Sequence, residues 1–220
     1  MILEIATVVA LAHQCAPSVA AETLVSIVHT ESRFNPYAIG VNAKGVRSQD
    51  PADQAAAVAA ARSLIARGYN IDLGLGQINS ANLKWLGLSI EDAFDPCRNL
   101  AAAARVLSDN FLSVARSSAT TEVAIATAMS MYNTGSRTRG FANGYVGRVY
   151  ASSSVVVPAI RRGLTGSAAS PPVVRPEASS APNEPAPSQS AVWSTSAGAQ
   201  AAPLMVFGGA TTTTSKGLME

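Results

Sequence analysis

The stretch Leu24-Val25-Ser26-Ile27-Val28-His29-Thr30-Glu31-Ser32-Arg33-Phe34-Asn35-Pro36-Tyr37-Ala38 puts a carboxylate where an apolar side chain belongs. Leu24, Ile27 and Val28 recur at helical spacing and make one apolar face. Glu31 takes the next position on the same stripe. Burying an unpaired carboxylate is costly, and a helix C-terminus disfavours negative charge. Both effects raise the pKa. An acid that stays protonated near neutral pH suits cleavage of a glycosidic bond, whose leaving oxygen must receive a proton. The alternative reading ends the helix one turn early and leaves Glu31 as a solvated end residue.

Outward from this stretch the signals remain helical. Residues 2–13 read as a short apolar helix broken by Pro17-Ser18, with Ser18 as N-cap of the helix that carries Glu31. Asp50-Pro51 reads as a helix start, and Gly68 as its end after Arg67. Asp95-Pro96 starts a long helix over about 96–116, with Leu100, Ala104, Leu107 and Phe111 on its apolar stripe. Thr120 or Thr121 caps a helix ending near Asn133-Thr134-Gly135. A last helix covers about 144–152, with a further turn before Arg161-Arg162-Gly163. Glycine-bearing loops at 35–48 and 69–82 leave room for a short hairpin. The pattern predicts a mostly α fold.

Residues 1–163 read as one folded domain and 164–220 as a disordered tail. The tail is rich in Ala, Ser, Pro and Thr and poor in charge and aromatics, so it cannot offset its ordering entropy. Trp193 and Leu204-Met205-Val206-Phe207 are its apolar clusters and its candidate contact points for partners. The 220 residues carry a net charge of +2 and 14% charged residues, which argues against a nucleic-acid binder. No apolar run is long enough to span a membrane. Residues 5–12 are apolar, but Glu4 precedes them and no Lys or Arg does, so the start reads as domain rather than export signal. Cys15 and Cys97 lack metal-ligand spacing, and with only His13 and His29 beside them no zinc site is supported. They are two buried thiols or one long-range disulfide.

Four short words recur in a fixed order. Glu31-Ser32-Arg33-Phe34-Asn35-Pro36-Tyr37-Ala38 resembles the E-S-x-F-N-P-x-A signature of lytic transglycosylases with a lysozyme-like fold. Gly74-Leu75-Gly76-Gln77-Ile78-Asn79 resembles their G-L-x-Q-I loop. Met131-Tyr132-Asn133 with Gly135 resembles A-Y-N-x-G, and Tyr145-Val146-Gly147-Arg148-Val149-Tyr150 resembles the closing Y-V-x-x-V-Y helix. Cys-Ala-Pro at 15–17, Pro-Tyr-Ala-Ile-Gly-Val-Asn at 36–42 and an alanine-rich insert helix look most like the VirB1-type members of type IV secretion and conjugation systems. The likeness spans about residues 15–152 and does not reach the tail. Met131 replaces the usual alanine, and Gly76 stands where many members carry methionine, which predicts a less bulky pocket wall there.

The resemblance implies a single lysozyme-like domain that cleaves the bond between N-acetylmuramic acid and N-acetylglucosamine in peptidoglycan, leaving 1,6-anhydromuramyl ends, without metal or organic cofactor. It implies Glu31 as the catalytic acid. It implies Ser32, Gln77, Asn79, Tyr132, Asn133, Tyr145 and Tyr150 as substrate-binding residues. It further implies a periplasmic or cell-envelope setting and secretion-system subunits as partners through the tail. An oxidising envelope favours the Cys15–Cys97 disulfide. From the residues alone, Tyr132, Tyr145 and Tyr150 read equally well as core tyrosines, and His29 as structural. Asp72 is the one obvious second carboxylate near a motif; it is a loop residue, or the base of a water-using muramidase. A third reading is a non-catalytic peptidoglycan-binding assembly factor. Gly74-x-Gly76 is no dinucleotide motif, since no strand precedes it in the sequence pattern.

Overall fold

The computed structural model describes residues 1–166, and the tail features Trp193 and Leu204–Phe207 lie outside them. Helices α1 (Ile5–Cys15) and α2 (Ala21–Ser32) come first, followed by strand β1 (Ile39–Val41), helix α3 (Gln54–Ala66) and strands β2 (Ile71–Leu73) and β3 (Ile78–Asn79). A 3-10 turn (Ser80–Asn82) and the short helices α4 (Leu83–Leu86) and α5 (Ile90–Ala93) lead into α6 (Pro96–Ala115). Helices α7 (Thr121–Thr134), α8 (Arg139–Ala142) and α9 (Tyr145–Gly166) complete the order. The fold is mostly α with one small sheet, as the helical patterning predicts.

Helix α2 lies at the centre of the core. Leu24, Val25, Ile27 and Val28 are each fully buried. Helix α9 packs along α2, while α6 pairs with α7 and with α1. The stripe on α6 is buried at Leu100, Ala104 and Leu107, and Phe111 packs against the core from its edge. The sheet is antiparallel in the order β1-β2-β3. Ile39 faces Leu73 and Val41 faces Ile71, whereas Gly40 faces Asp72 and Asp72 faces Asn79. Strand alternation therefore turns Ile39, Ile71, Leu73 and Ile78 into the core and Asp72 and Asn79 to the other side.

Several boundaries differ from the sequence expectation. Ser18 does not cap α2; Ala20 holds the N-cap position, and no side chain bonds there. Residues 16–19 form a turn instead, closed by Val19 N–H donating to the Ala16 carbonyl, and the buried Val19 draws the chain inward. Asp50 does not start α3. Asp53 does, its carboxylate accepting from Ala56 N–H at 2.8 Å, while Asp50 accepts from the Asn35 carboxamide at 3.0 Å. Asp95 caps α6 and Thr120 caps α7, each accepting from a backbone N–H three residues on. Helix α9 runs on to Gly166 with Pro158 inside it. Proline costs a helix one backbone bond, yet Val156 and Ile160, one turn apart and both buried, hold the segment to the core beyond residue 152.

A disulfide joins Cys15, the last residue of α1, to Cys97, in the first turn of α6, with Cα atoms 5.4 Å apart. It closes a loop of 82 residues between helices that also pack on each other. Restricting the unfolded chain over such a loop contributes about 4 kcal/mol in the chain-entropy account. Replacing both cysteines by serine should move the denaturant midpoint down by a corresponding amount. An unchanged midpoint would show that the helix packing alone fixes this junction.

Candidate functional site

Glu31 lies in the last turn of α2, one residue before its end. The chain then reverses through Arg33 and Phe34, both with left-handed backbone, at φ 51° and 68°. A bulky residue adopts that conformation only when its surroundings compel it. Here the reversal carries the Phe34 ring into the core, against His29 with ring centroids 5.2 Å apart. His29 also meets the Ser152 hydroxyl of α9 at 3.0 Å, which gives it a structural position on α2 rather than one in the site.

Helix α9 supplies the partner of the carboxyl. The Tyr145 hydroxyl donates to Glu31 Oε1 at 2.5 Å. Tyr145 is almost wholly buried, and burial first, then the charge of Glu31, hold its own pKa well above 10, so it remains a neutral donor. Burial drives the pKa of Glu31 up to about 7. The Tyr145 hydrogen bond works against that rise, the negative charge of Asp72 adds to it, and Arg148 opposes it weakly. The sum is a carboxyl that shares its proton near neutral pH.

Opposite α2 stands the loop that joins β2 to β3. Gln77 takes a left-handed backbone at φ 50°, and Gly74 one at φ 72°. A Cβ at Gly74 would come within 2.4 Å of the Ala93 carbonyl, so only glycine fits. Asn99 of α6, fully buried, fastens the loop. Its Nδ2 donates to the carbonyls of Leu73 and Ala93, and its Oδ1 accepts from Gly76 N–H at 2.7 Å. From α7, the Tyr132 hydroxyl donates to the Gly76 carbonyl at 2.6 Å. Gly76 does not thin the pocket wall: a Cβ there would sit 2.8 Å from Ala103 Cβ and 2.9 Å from the Tyr132 oxygen, so the absent side chain leaves no gap.

Between these parts lies a groove of about 510 Å³, lined by Glu31, Asp72, Gln77, Asn79, Tyr132 and Asn133, together with Asn42, Asn82, Trp85, Asn110 and Met131. Carboxamides dominate its polar wall. Asp72 accepts from Asn42 at 2.8 Å and from Asn79 at 2.7 Å, and burial raises its pKa against those two bonds. Gln77 donates to the carbonyls of Ala38 and Gly74, which sets its side chain across the base of the loop. Gly40 is what admits that side chain, since a Cβ at 40 would meet Gln77 Oε1 at 2.7 Å.

The groove therefore gathers Glu31, Gln77, Asn79, Tyr132 and Asn133 from the sequence-derived set, with Tyr145 behind Glu31. Ser32 and Tyr150 are not among the groove residues. The Ser32 hydroxyl turns back to the Val28 carbonyl, and Tyr150 is 41% exposed, its hydroxyl pKa raised by partial burial first and then by the charge of Glu122. Sequence reasoning passed over Asn99, Asn42 and Trp85. Asn99 carried a usable signal: a carboxamide adjoining the apolar stripe of a long helix, which burial would oblige to find partners. Among the described residues, no cluster of three or more His, Cys, Asp or Glu suited to a metal is present, and no helix is long and apolar enough to cross a membrane.

Fold and groove define a mostly α domain with one small antiparallel sheet and an acid-bearing groove. More narrowly, it belongs to the transglycosylase SLT domain family, which residues 9–153 match. It is 40% identical over 164 residues to the type IV secretion system protein virB1 of Brucella abortus (strain 2308), covering 69% of this chain and 68% of that protein. It is 40% identical over 149 residues to protein virB1 of Rhizobium radiobacter, covering 68% and 62% respectively. Protein virB1 of Agrobacterium fabrum is 38% identical over 147 residues, covering 67% and 59%. No solved structure matches the chain.

The raised pKa has a consequence for stability. The unfolded chain releases the Glu31 proton near 4.5, the folded protein near 7. Between those values the native state binds more protons than the unfolded state, so stability falls as pH rises through the window and stays reduced above it. Gln cannot ionise. Glu31→Gln should therefore melt at a higher temperature than the parent above about pH 7. That advantage should fade as pH drops through the window towards 4.5. Melting curves with the same pH dependence for both proteins would show that Glu31 titrates normally.

Proposed function

We propose that the protein is a peptidoglycan lytic transglycosylase that opens the cell wall locally for a type IV secretion or conjugation system. The observation that carries this reading is one carboxyl, raised to a pKa of about 7, in a groove walled by carboxamides. Protonated Glu31 donates to the oxygen between N-acetylmuramic acid and N-acetylglucosamine. The carboxylate so formed takes the proton of the muramyl 6-hydroxyl, whose oxygen closes on C1. The glycosidic bond breaks, a 1,6-anhydro bond forms, and Glu31 ends protonated, so water is not consumed. Tyr145 holds the carboxyl in place for both transfers. Gln77, Asn79, Tyr132 and Asn133 offer amide and hydroxyl groups for the acetamido and hydroxyl rims of the sugars. The family supports the class of reaction, and the virB1 names of its relatives support the secretion setting. Ser32 and Tyr150, which do not line the groove, carry no step of this proposal.

A hydrolytic muramidase is the second reading, supported by the placement of Asp72 in the same groove as Glu31. Carboxyls on opposite sides of a sugar ring can activate water between them. Asp72, however, already accepts from Asn42 and Asn79, which suits a fixed neighbouring charge better than a mobile base. The disulfide fits an envelope protein exposed to oxidising conditions.

Mass spectrometry of digested sacculi separates the two readings: anhydromuramyl ends are expected, and reducing muramic ends would establish hydrolysis. Glu31→Gln should lower lysis by at least the ~10²–10⁴-fold typical of a general acid–base group; a variant keeping a tenth of the parent rate would remove Glu31 from the chemistry. Asp72→Asn should cost far less. Because the Asp72 charge raises the pKa of Glu31, its loss should move the alkaline limb of the pH–rate profile, which lies near pH 7 in the parent, to lower pH. A limb that stays put, with activity lost throughout, would make Asp72 a reacting group. Residues 1–166 alone should retain cleavage, since the groove residues described above all lie within them; a folded but inactive fragment would place part of the site in the tail.

A further inference from the structure

Of the large apolar side chains left exposed among the described residues, Trp85 is the one that lines the Glu31 groove. It is 45% exposed, although an indole is among the side chains with most to gain from burial. Its placement is built rather than accidental. Helix α4 buries Leu83, ends at Gly87 in the left-handed conformation, and turns Trp85 outward between them. The indole N–H donates to Asn82 Oδ1 at 3.0 Å, and the Arg105 guanidinium stands over the ring, 5.3 Å from its centroid. The ring is thus held in orientation before any ligand arrives, which lowers the entropy cost of stacking on it.

The surrounding chemistry selects the ligand. The charged groups that line the groove, Glu31 and Asp72, are both acidic, and the Arg105 guanidinium over the indole has the Asp109 carboxylate 3.9 Å away, so the groove offers no cationic track for a polyanion such as a nucleic acid. Asn82, bonded to the indole, and Asn110 line the same groove with neutral donors and acceptors. A pyranose ring has the matching form: C–H bonds on its faces, hydroxyl and acetamido groups around its rim. We propose that Trp85, with Asn82 and Asn110, forms a sugar-stacking subsite that holds one ring of the glycan strand away from the bond being cut. This deepens the transglycosylase reading and rests on it. Glycan strands, and not the peptide stems, are the ligand of this subsite.

The test uses the full chain carrying Glu31→Gln, so that strands stay intact, and Trp193→Phe, so that Trp85 is the remaining tryptophan of the two in the sequence. Peptidoglycan glycan strands freed of peptide are titrated while indole fluorescence is read, with free stem peptide as the comparison ligand. A saturable spectral shift with strands, absent with stem peptide, is expected. Trp85→Ala on the Glu31→Gln background should weaken strand binding, read by calorimetry, about tenfold, as truncating an aromatic anchor does. Trp85→Phe, which keeps a stacking face and guards against misfolding of the alanine variant, should recover part of it. In the cleaving protein, Trp85→Ala should raise KM more than it lowers kcat. Equal affinity of Trp85→Ala and its parent, no spectral shift, or a shift with stem peptide instead would overturn the subsite. A Trp85 response to strands without any lysis by the parent protein would overturn the enzyme reading and leave the subsite standing; lysis without the response would do the reverse.

Discussion

Helix α9 lies along α2 and takes the carboxyl of Glu31 out of water, returning to it the hydroxyl of Tyr145. Desolvation outweighs that hydrogen bond, and the pKa climbs to about 7. If α9 were shifted outward, Glu31 would hydrate and become an ordinary carboxylate. The buried tyrosine, the continuation of α9 past Pro158, and the strained reversal at Arg33 and Phe34 all serve to keep this one pair of helices in register. The strain at φ 68° on a phenylalanine is tolerated because its ring fills the core against His29, which in turn meets Ser152 of α9.

The second wall of the groove is held by different means. The loop from Gly74 to Gln77 has little regular structure of its own, and its backbone is satisfied by side chains from two helices: Asn99 from α6 and Tyr132 from α7. The glycines at 74 and 76 permit that approach, since a methyl group at either would strike a neighbour. A neutral buried amide making three bonds is a specific clamp, because each unpaired end would be costly. The disulfide then ties α1 to the start of α6, the helix that carries the clamp. One wall therefore tunes the acid and the other presents carboxamides, and both are fixed before a ligand binds.

The sequence made much of this legible, for identifiable reasons. The stripe Leu24, Ile27, Val28, Glu31 exposed the acid because charge on an apolar face is costly, and the caps at Asp95 and Thr120 and the stop at Gly135 follow simple local rules. Ser18 and Asp50 misled because capping residues outnumber caps: whether one is used depends on where buried neighbours such as Val19 draw the chain. The extension of α9 was hidden by Pro158, whose local cost is outweighed by tertiary burial at Val156 and Ile160. Tyr132 and Tyr145 read equally as core or site; they are partly both, their rings packed inward and their hydroxyls committed to the loop and to Glu31. Trp85 left no pattern in the chain, and Asn42 only closed the word at 36–42 without showing a role, since what makes them part of the groove is the fold that brings residues 31, 42, 72, 85 and 132 together.

The most direct measurement is the titration of the Glu31 carboxyl itself, followed by carbon-13 NMR of protein labelled at the glutamate side-chain carboxyl and assigned with Glu31→Gln. A midpoint near 7, falling when Asp72 is made Asn, is the result this account predicts. A midpoint near the ordinary 4.5 would contradict it, because a carboxyl already ionised at neutral pH has no proton to give.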